Sequence, residues 1–140
     1  MDGRAVEGVI FYIAAHVSQK TRVKRIYQLL KHQGHVISVE WALRQTVAMK
    51  GRNQKPERSR DTAIRDMEGI RDCDVFVLLS EPSDGRAKYV ELGGAIATYL
   101  DKGKPRIFIV GRRTNQSVFY FHPSVKRVEN ITAVLAAIKT

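Results

Sequence analysis

Three carboxylates in the 140-residue chain have the type and placement to do chemistry: Asp66, Asp84 and Glu91. Asp66 falls in a stretch whose Ile64, Met67 and Ile70 follow helical spacing. Asp84 sits in Glu81-Pro82-Ser83-Asp84-Gly85-Arg86, a cluster of turn-forming residues. Glu91 falls in the first turn or so of a small-residue helix expected from Ala87 to Leu100. There the helix dipole favours an ionised carboxylate, and Gly93-Gly94 would remove bulk behind it, so Glu91 is a candidate carbon nucleophile. A second carboxyl on a neighbouring helix, Asp66, could hold the proton that a leaving group needs. That pairing suits retaining cleavage of a glycosidic bond, in which one group attacks the anomeric carbon and another assists departure. The plainer alternative makes Glu91 a dipole partner and Asp66 one half of an ion pair with Arg65, Arg71 or another cation.

Other chemistries lack their residues. There is no G-x-G-x-x-G, no P-loop and no cysteine pair. His32 and His35 flank a helix end while His16 and His122 stand alone, so no metal and no cofactor is implied. Ser18, Ser80 and Ser117 have no nucleophile-elbow context, and Cys73, just before an apolar strand, is expected to pack inertly.

The elements that must position these groups alternate along the chain. Val9 to Ala14 is a short apolar run expected to be a strand buried on both faces. Val23, Ile26, Tyr27 and Leu30 then give a helix with a basic outer face, stopped by Gly34, and Val36 to Val39 gives a second strand. A long polar loop is expected from about Arg44 to Glu57. The helix of Asp66 closes on Cys73, and Asp74 to Ser80 is the clearest buried strand. After the Glu91 helix, ended by Lys102-Gly103, come a strand at Ile107 to Val110, a polar turn, a short strand near Val125 to Val128 and a helix capped by Asn130. Strands alternating with helices imply a doubly wound, five-stranded parallel sheet, flavodoxin-like, most simply in the order 2-1-3-4-5. Its ligand crevice lies beyond strands 1 and 3, between the loops Ala15 to Lys20 and Glu81 to Lys88.

Composition sets the bounds. With 44% apolar and 27% charged residues the chain fits one globular domain spanning residues 1–140. Its longest uncharged stretches, Gly8 to Gln19 and Thr114 to Val125, fall short of the roughly 20 residues of a membrane-spanning helix. The N-terminus does not read as a secretory signal, and a lone cysteine suits a reducing cytoplasm. Lys and Arg number 24 against 14 Asp and Glu, a net charge of +10 that attracts phosphates. The cations are spread along the chain without aromatic interleaving, which favours a small phosphate-bearing substrate, or mere solubility, over polymeric nucleic acid.

Four segments together resemble the nucleoside 2-deoxyribosyltransferase-like proteins, which include transferases and relatives that hydrolyse nucleoside 5′-monophosphates. They are Val9 to Ala14 with Tyr12, Asp66-Met-Glu-Gly-Ile-Arg-Asp-Cys-Asp74-Val-Phe-Val, Tyr89-Val-Glu91-Leu-Gly-Gly-Ala-Ile-Ala97, and Gly103-Lys-Pro105. The resemblance spans nearly the whole chain in order and is most specific from Asp66 to Pro105. It implies a covalent glycosyl-enzyme on Glu91, a tyrosine at Tyr12 that positions this nucleophile, and an Asp66 that holds the sugar or handles the leaving base. It also implies a homodimer or larger assembly with sites near subunit contacts. Two motifs depart from the family. Ala14-Ala15-His16-Val17-Ser18 stands where a Gly-Pro or Gly/Ser-rich loop is usual, and Asp84-Gly85-Arg86-Ala87-Lys88 stands where Asp-x-Gly-Thr is usual.

The expected activity is cleavage of the N-glycosidic bond of a 2′-deoxyribonucleoside or its 5′-monophosphate, with transfer to another base or to water. Candidate substrate contacts are Ser83, Asp84, Gly85, Arg86, Lys88, Ser18, Asn115 and Ser117. A helix start after strand 1 would offer backbone N–H groups to a phosphate, with Lys20 and Arg22 beside it. Trp41 is expected in the core or an interface rather than on a base. Three adjacent aromatics, Phe119 to Phe121, are hard to bury in so small a domain and are expected at a subunit contact. The rival readings are a TIR-like NAD glycohydrolase, for which the surroundings of Glu91 show no clear signature, and a non-catalytic nucleotide-binding domain of the same fold.

Overall fold

The computed structural model describes residues 8–44, 52 and 55–139. Most of the expected polar loop from Arg44 to Glu57 lies outside the described residues, and its last part belongs to a helix that Pro56 opens. The strands are β1 (Ile10–Ala14), β2 (Val36–Ile37), β3 (Val75–Leu79), β4 (Arg106–Val110) and β5 (Val125–Val128). The α-helices among the described residues are α1 (Lys20–His32), α2 (Pro56–Asp72), α3 (Ala87–Lys102) and α4 (Ile131–Ile138). All strand pairs are parallel and the order is β2-β1-β3-β4-β5, a doubly wound flavodoxin-like sheet. No helix among the described residues is long and apolar enough to cross a membrane.

The period of two along a strand decides what each helix pair covers. Phe11 and Ile13 of β1, with Val75, Val77, Leu79, Phe108 and Val110, face α1 and α4. Tyr12 and Ala14, with Phe76, Leu78, Ile107 and Ile109, face α2 and α3. Tyr12 therefore points to the layer that carries both Asp66 and Glu91.

Helix ends follow their sequence signals. Asn130 Oδ1 accepts the Ala133 N–H at 2.9 Å to start α4, and Gly103 adopts φ +77° to close α3. The edge strand β2 is shorter than its apolar run, because the chain beyond Ile37 bends into a 3-10 turn at Trp41–Leu43. Gly69, one turn after Asp66 on α2, lets that helix settle on the sheet. A Cβ there would stand 2.3 Å from Val39 Cγ2 and 3.5 Å from Tyr12 Cδ2. The Gly93-Gly94 pair does not make room behind Glu91. Gly94 admits Met67 of α2, whose Cε would lie 2.8 Å from an added Cβ, and Gly93 faces open space.

Candidate active site

The phenol of Tyr12, at the centre of β1, donates a hydrogen bond to Oε2 of Glu91 on α3. Tyr12 has no exposed surface, and its ring stacks on Phe76 of the neighbouring strand. Burial, followed by the charges of Glu91 and Asp66, pushes the Tyr12 pKa far above its ordinary value. It stays a protonated donor. Glu91 is pushed up to about 7, first by burial, against the lowering effect of the Tyr12 hydrogen bond; the Asp66 charge raises it and Arg44 lowers it. Glu91 is the fifth residue of α3 and lies beyond the first turn, so the expected support from the helix dipole is replaced by desolvation.

Asp66 comes to the same layer from α2. Its Oδ1 accepts a hydrogen bond from Arg44 Nη2 at 2.9 Å, in an ion pair that is about a quarter exposed on each side. The ion-pair alternative was open in the sequence, but the partner is neither Arg65 nor Arg71. Burial raises the Asp66 pKa, while the Arg44 hydrogen bond and charge hold it down. Arg44 is the residue that sequence reasoning missed. It stood at the boundary of a polar stretch, and its only signal was a cation immediately after the Trp41 turn.

That turn is built to hold Arg44. Trp41 Nε1 donates to the Ile13 carbonyl at 2.6 Å, which ties the turn to β1 and gives the tryptophan a packing role. The Arg44 N–H donates to the Trp41 carbonyl at 3.1 Å, and Lys20 Nζ donates to the Arg44 carbonyl at 3.0 Å.

The two loops expected to flank the crevice do meet. Gly85, at φ +109°, lies under the His16 ring, with His16 Cδ2 2.8 Å from where a Cβ would be. His16 Nδ1 accepts the Ser18 N–H at 3.1 Å and pairs with Ser18 Oγ at 2.8 Å. The Gln19 and Lys20 N–H groups donate to the carbonyls of His16 and Val17. The amides expected to await an anion after β1 are thus largely partnered within a 3-10 turn (Val17–Gln19), because His16 caps it.

The remaining candidates are dispersed in role. Ser83, Asp84 and Arg86 are exposed on the β3–α3 loop, whose Ser83 carbonyl accepts from Tyr89 Oη at 2.6 Å. Lys88 is buried instead of lining the crevice: its Nζ donates to the carbonyls of Ser80, at 3.1 Å, and Pro82. Burial lowers its pKa, and Asp84 opposes that shift. Asn115 is exposed, and Ser117 Oγ accepts the Phe119 N–H at 3.2 Å to cap a 3-10 turn over Val118–Phe121. Asn115 and Ser117 are not hydrogen-bonded to Tyr12, Asp66 or Glu91.

Strand order and the paired loops define the class: a doubly wound α/β protein with carboxylates at its switch point. Among solved structures, the Clostridium botulinum CMP N-glycosidase BcmB is similar in fold, with a TM-score of 0.59 at 14% sequence identity over 94% of this chain and 99% of that one. No protein-family model matches the chain, and no curated protein does.

Proposed function

We propose that the chain is a single nucleoside 2-deoxyribosyltransferase-like domain that cleaves the N-glycosidic bond of 2′-deoxyribonucleosides or their 5′-monophosphates in the cytoplasm. The observation that carries this reading is the hydrogen bond from the buried Tyr12 phenol to Oε2 of Glu91. It leaves Oε1 as the attacking oxygen. As Oε1 forms a bond to C1′ of the sugar, the C1′–N bond breaks and its electron pair leaves with the base, which takes up a proton from water. Oε2 becomes the carbonyl oxygen of the glycosyl ester and keeps the Tyr12 hydrogen bond throughout. Water, or the nitrogen of a second base, then attacks C1′ and frees the carboxylate.

Burial supports the same reading. A carboxyl near pH 7 is partly ionised at neutral pH and poorly solvated, which makes it more nucleophilic than an exposed glutamate. A CMP N-glycosidase on a similar fold is in keeping with the bond type and with a 5′-monophosphate. Two exposed cations, Arg22 in the first turn of α1 and Arg86 on the β3–α3 loop, suit that phosphate. Apolar surface on α3 and at Phe119 suits a homodimer.

The test is incubation with a panel of nucleosides, deoxynucleosides and their 5′-monophosphates, following free base by chromatography with and without a second base. Release of base that Glu91→Gln abolishes is the expected result, and a new nucleoside in the presence of the second base would mark transfer. A panel with no base release overturns the proposal.

A further inference from the structure

Arg44 has no place in the two-residue chemistry above, yet the chain around it is arranged for it. Its backbone is fixed on both sides, by the Trp41 carbonyl and by Lys20 Nζ, and the turn that carries it is tied to β1 through Trp41. Its guanidinium gives one Nη2 donor to Oδ1 of Asp66, and Nε is buried without a hydrogen-bond partner. Among the described residues Oδ2 of Asp66 accepts no hydrogen bond.

Resting on the glycosidase reading, we propose that Arg44 is a positioning residue that clamps Asp66 by one oxygen, so that Oδ2 is presented as a fixed acceptor beside the Tyr12–Glu91 pair. A clamped carboxylate of this kind binds a donor on the substrate, a sugar hydroxyl or a base N–H. Burial, the largest influence, raises the Asp66 pKa, and the guanidinium on Oδ1 opposes that rise and holds back the protonated form that a general acid needs. The role assigned to Asp66 is then holding the substrate rather than general acid catalysis.

The charges around the cluster come from every element packed on it. Arg44 on the Trp41 turn and Arg65 on α2 favour ionised Asp66; Glu91 on α3 and Asp66 oppose one another's charge; Tyr12 on β1 and Tyr27 on α1 are neutral phenols whose ionisation is suppressed by burial. Arg44 lowers both carboxyls, so its removal should raise both.

Glutamine and lysine at position 44 provide the test. Carbon-detected NMR titrations of labelled Asp and Glu side chains, assigned with Asp66→Asn and Glu91→Gln, read the two midpoints without any need for turnover. In Arg44→Gln both midpoints are expected to rise, by about half a pH unit or more, and the acid limb of kcat/KM should move upward with them. Arg44→Lys keeps a charge but loses the planar fork, so kcat/KM at the plateau is expected to fall roughly tenfold while the Glu91 midpoint stays. Unmoved midpoints in folded Arg44→Gln overturn the proposal, as does an Arg44→Lys enzyme within twofold of wild type. A wild-type chain that releases no base would sink the glycosidase reading alone; the titrations would still decide whether Arg44 governs Asp66.

Discussion

The hydroxyl of Tyr12 donates to the carboxylate of Glu91 across a sequence separation of 79 residues. The contact joins the interior strand β1 to the helix α3 that follows β3, so it exists only when both crossovers are in place. It holds one carboxylate oxygen, Oε2, while Oε1 accepts no hydrogen bond among the described residues. Burial pushes the phenol's pKa far above its ordinary value, so Tyr12 stays a protonated donor while Glu91 titrates.

Removal of that hydroxyl should therefore act on both rate and pH dependence. Tyr12→Phe fits the same buried space, loses the orienting bond and lifts the Glu91 midpoint above about 7, since the bond lowers it. We expect kcat/KM to fall roughly 10²-fold at its plateau, with the acid limb displaced to higher pH. A pH–rate profile that superimposes on wild type would rule out this role.

Glu91→Gln separates chemistry from stability. An amide cannot form the glycosyl ester, so turnover should be abolished, and a rate within tenfold of wild type would remove Glu91 from the mechanism. Its stability should change in the opposite direction. The folded carboxyl titrates near 7, against 4.5 for the free group, so the wild-type fold is favoured by proton binding below pH 4.5 and loses that support as pH rises through 7. The variant should accordingly exceed wild type by roughly 1–3 kcal/mol at pH 8, and the two should converge towards pH 4.5. Calorimetric melting at both pH values checks the sign.

The fold was legible because its signals are local. The apolar runs at Ile10–Ala14 and Val75–Leu79, the Asn130 cap and the Gly103 stop all mark elements that the structure shows, and alternation of strand and helix fixes a parallel order. Tyr12, Asp66 and Glu91 could be chosen from residue type and resemblance, and they do share one layer of the fold. What composition could not reveal is which cations are committed. Lys88 and Arg86 look alike in sequence, but Lys88 is turned inward onto two carbonyls while Arg86 stays in solvent. Arg44 escaped notice because its partner lies 22 residues away on α2. The helix-dipole argument for Glu91 failed for a smaller reason: the helix starts at Ala87 as expected, but its fifth residue already lies past the turn where the dipole acts.

The two cations of the β3–α3 loop should consequently respond differently to mutation. Lys88→Met leaves the carbonyls of Ser80 and Pro82 without their donor in a buried loop, which should cost roughly 2–4 kcal/mol of stability and depend little on salt. Arg86→Ala should change stability by no more than about 0.5 kcal/mol but reduce any preference for a 5′-monophosphate over its nucleoside. For wild type that preference is expected at roughly 10²-fold in kcat/KM at low salt, shrinking as ionic strength rises. Equal kcat/KM for nucleoside and monophosphate at low salt would reduce the +10 charge to a matter of solubility.

The outer face of α3 makes the last prediction. Leu100 is 68% exposed and Phe119 64%, and between them a groove of about 430 Å³ is floored by Gly93 and Ala97. Of the three adjacent aromatics only Tyr120 is buried; Phe119 is left open, and Phe121 lies under the Arg127 guanidinium at 4.0 Å. A ridge of large apolar groups beside an indentation of small ones is self-complementary under a two-fold axis, with each copy offering its ridge to the other's groove. A stable dimer needs roughly 600–1,000 Å² from each partner, more than this groove alone, so the contact should spread onto the Val118–Phe121 turn. We expect a dimer or larger species by light scattering at micromolar concentration. Leu100→Glu with Phe119→Asp should convert it to monomer, because both side chains are already in water in the isolated chain and their replacement costs the fold little. A wild-type monomer at micromolar concentration would show that this face is simply exposed, and a dimer that survives both substitutions would move the contact elsewhere on the surface.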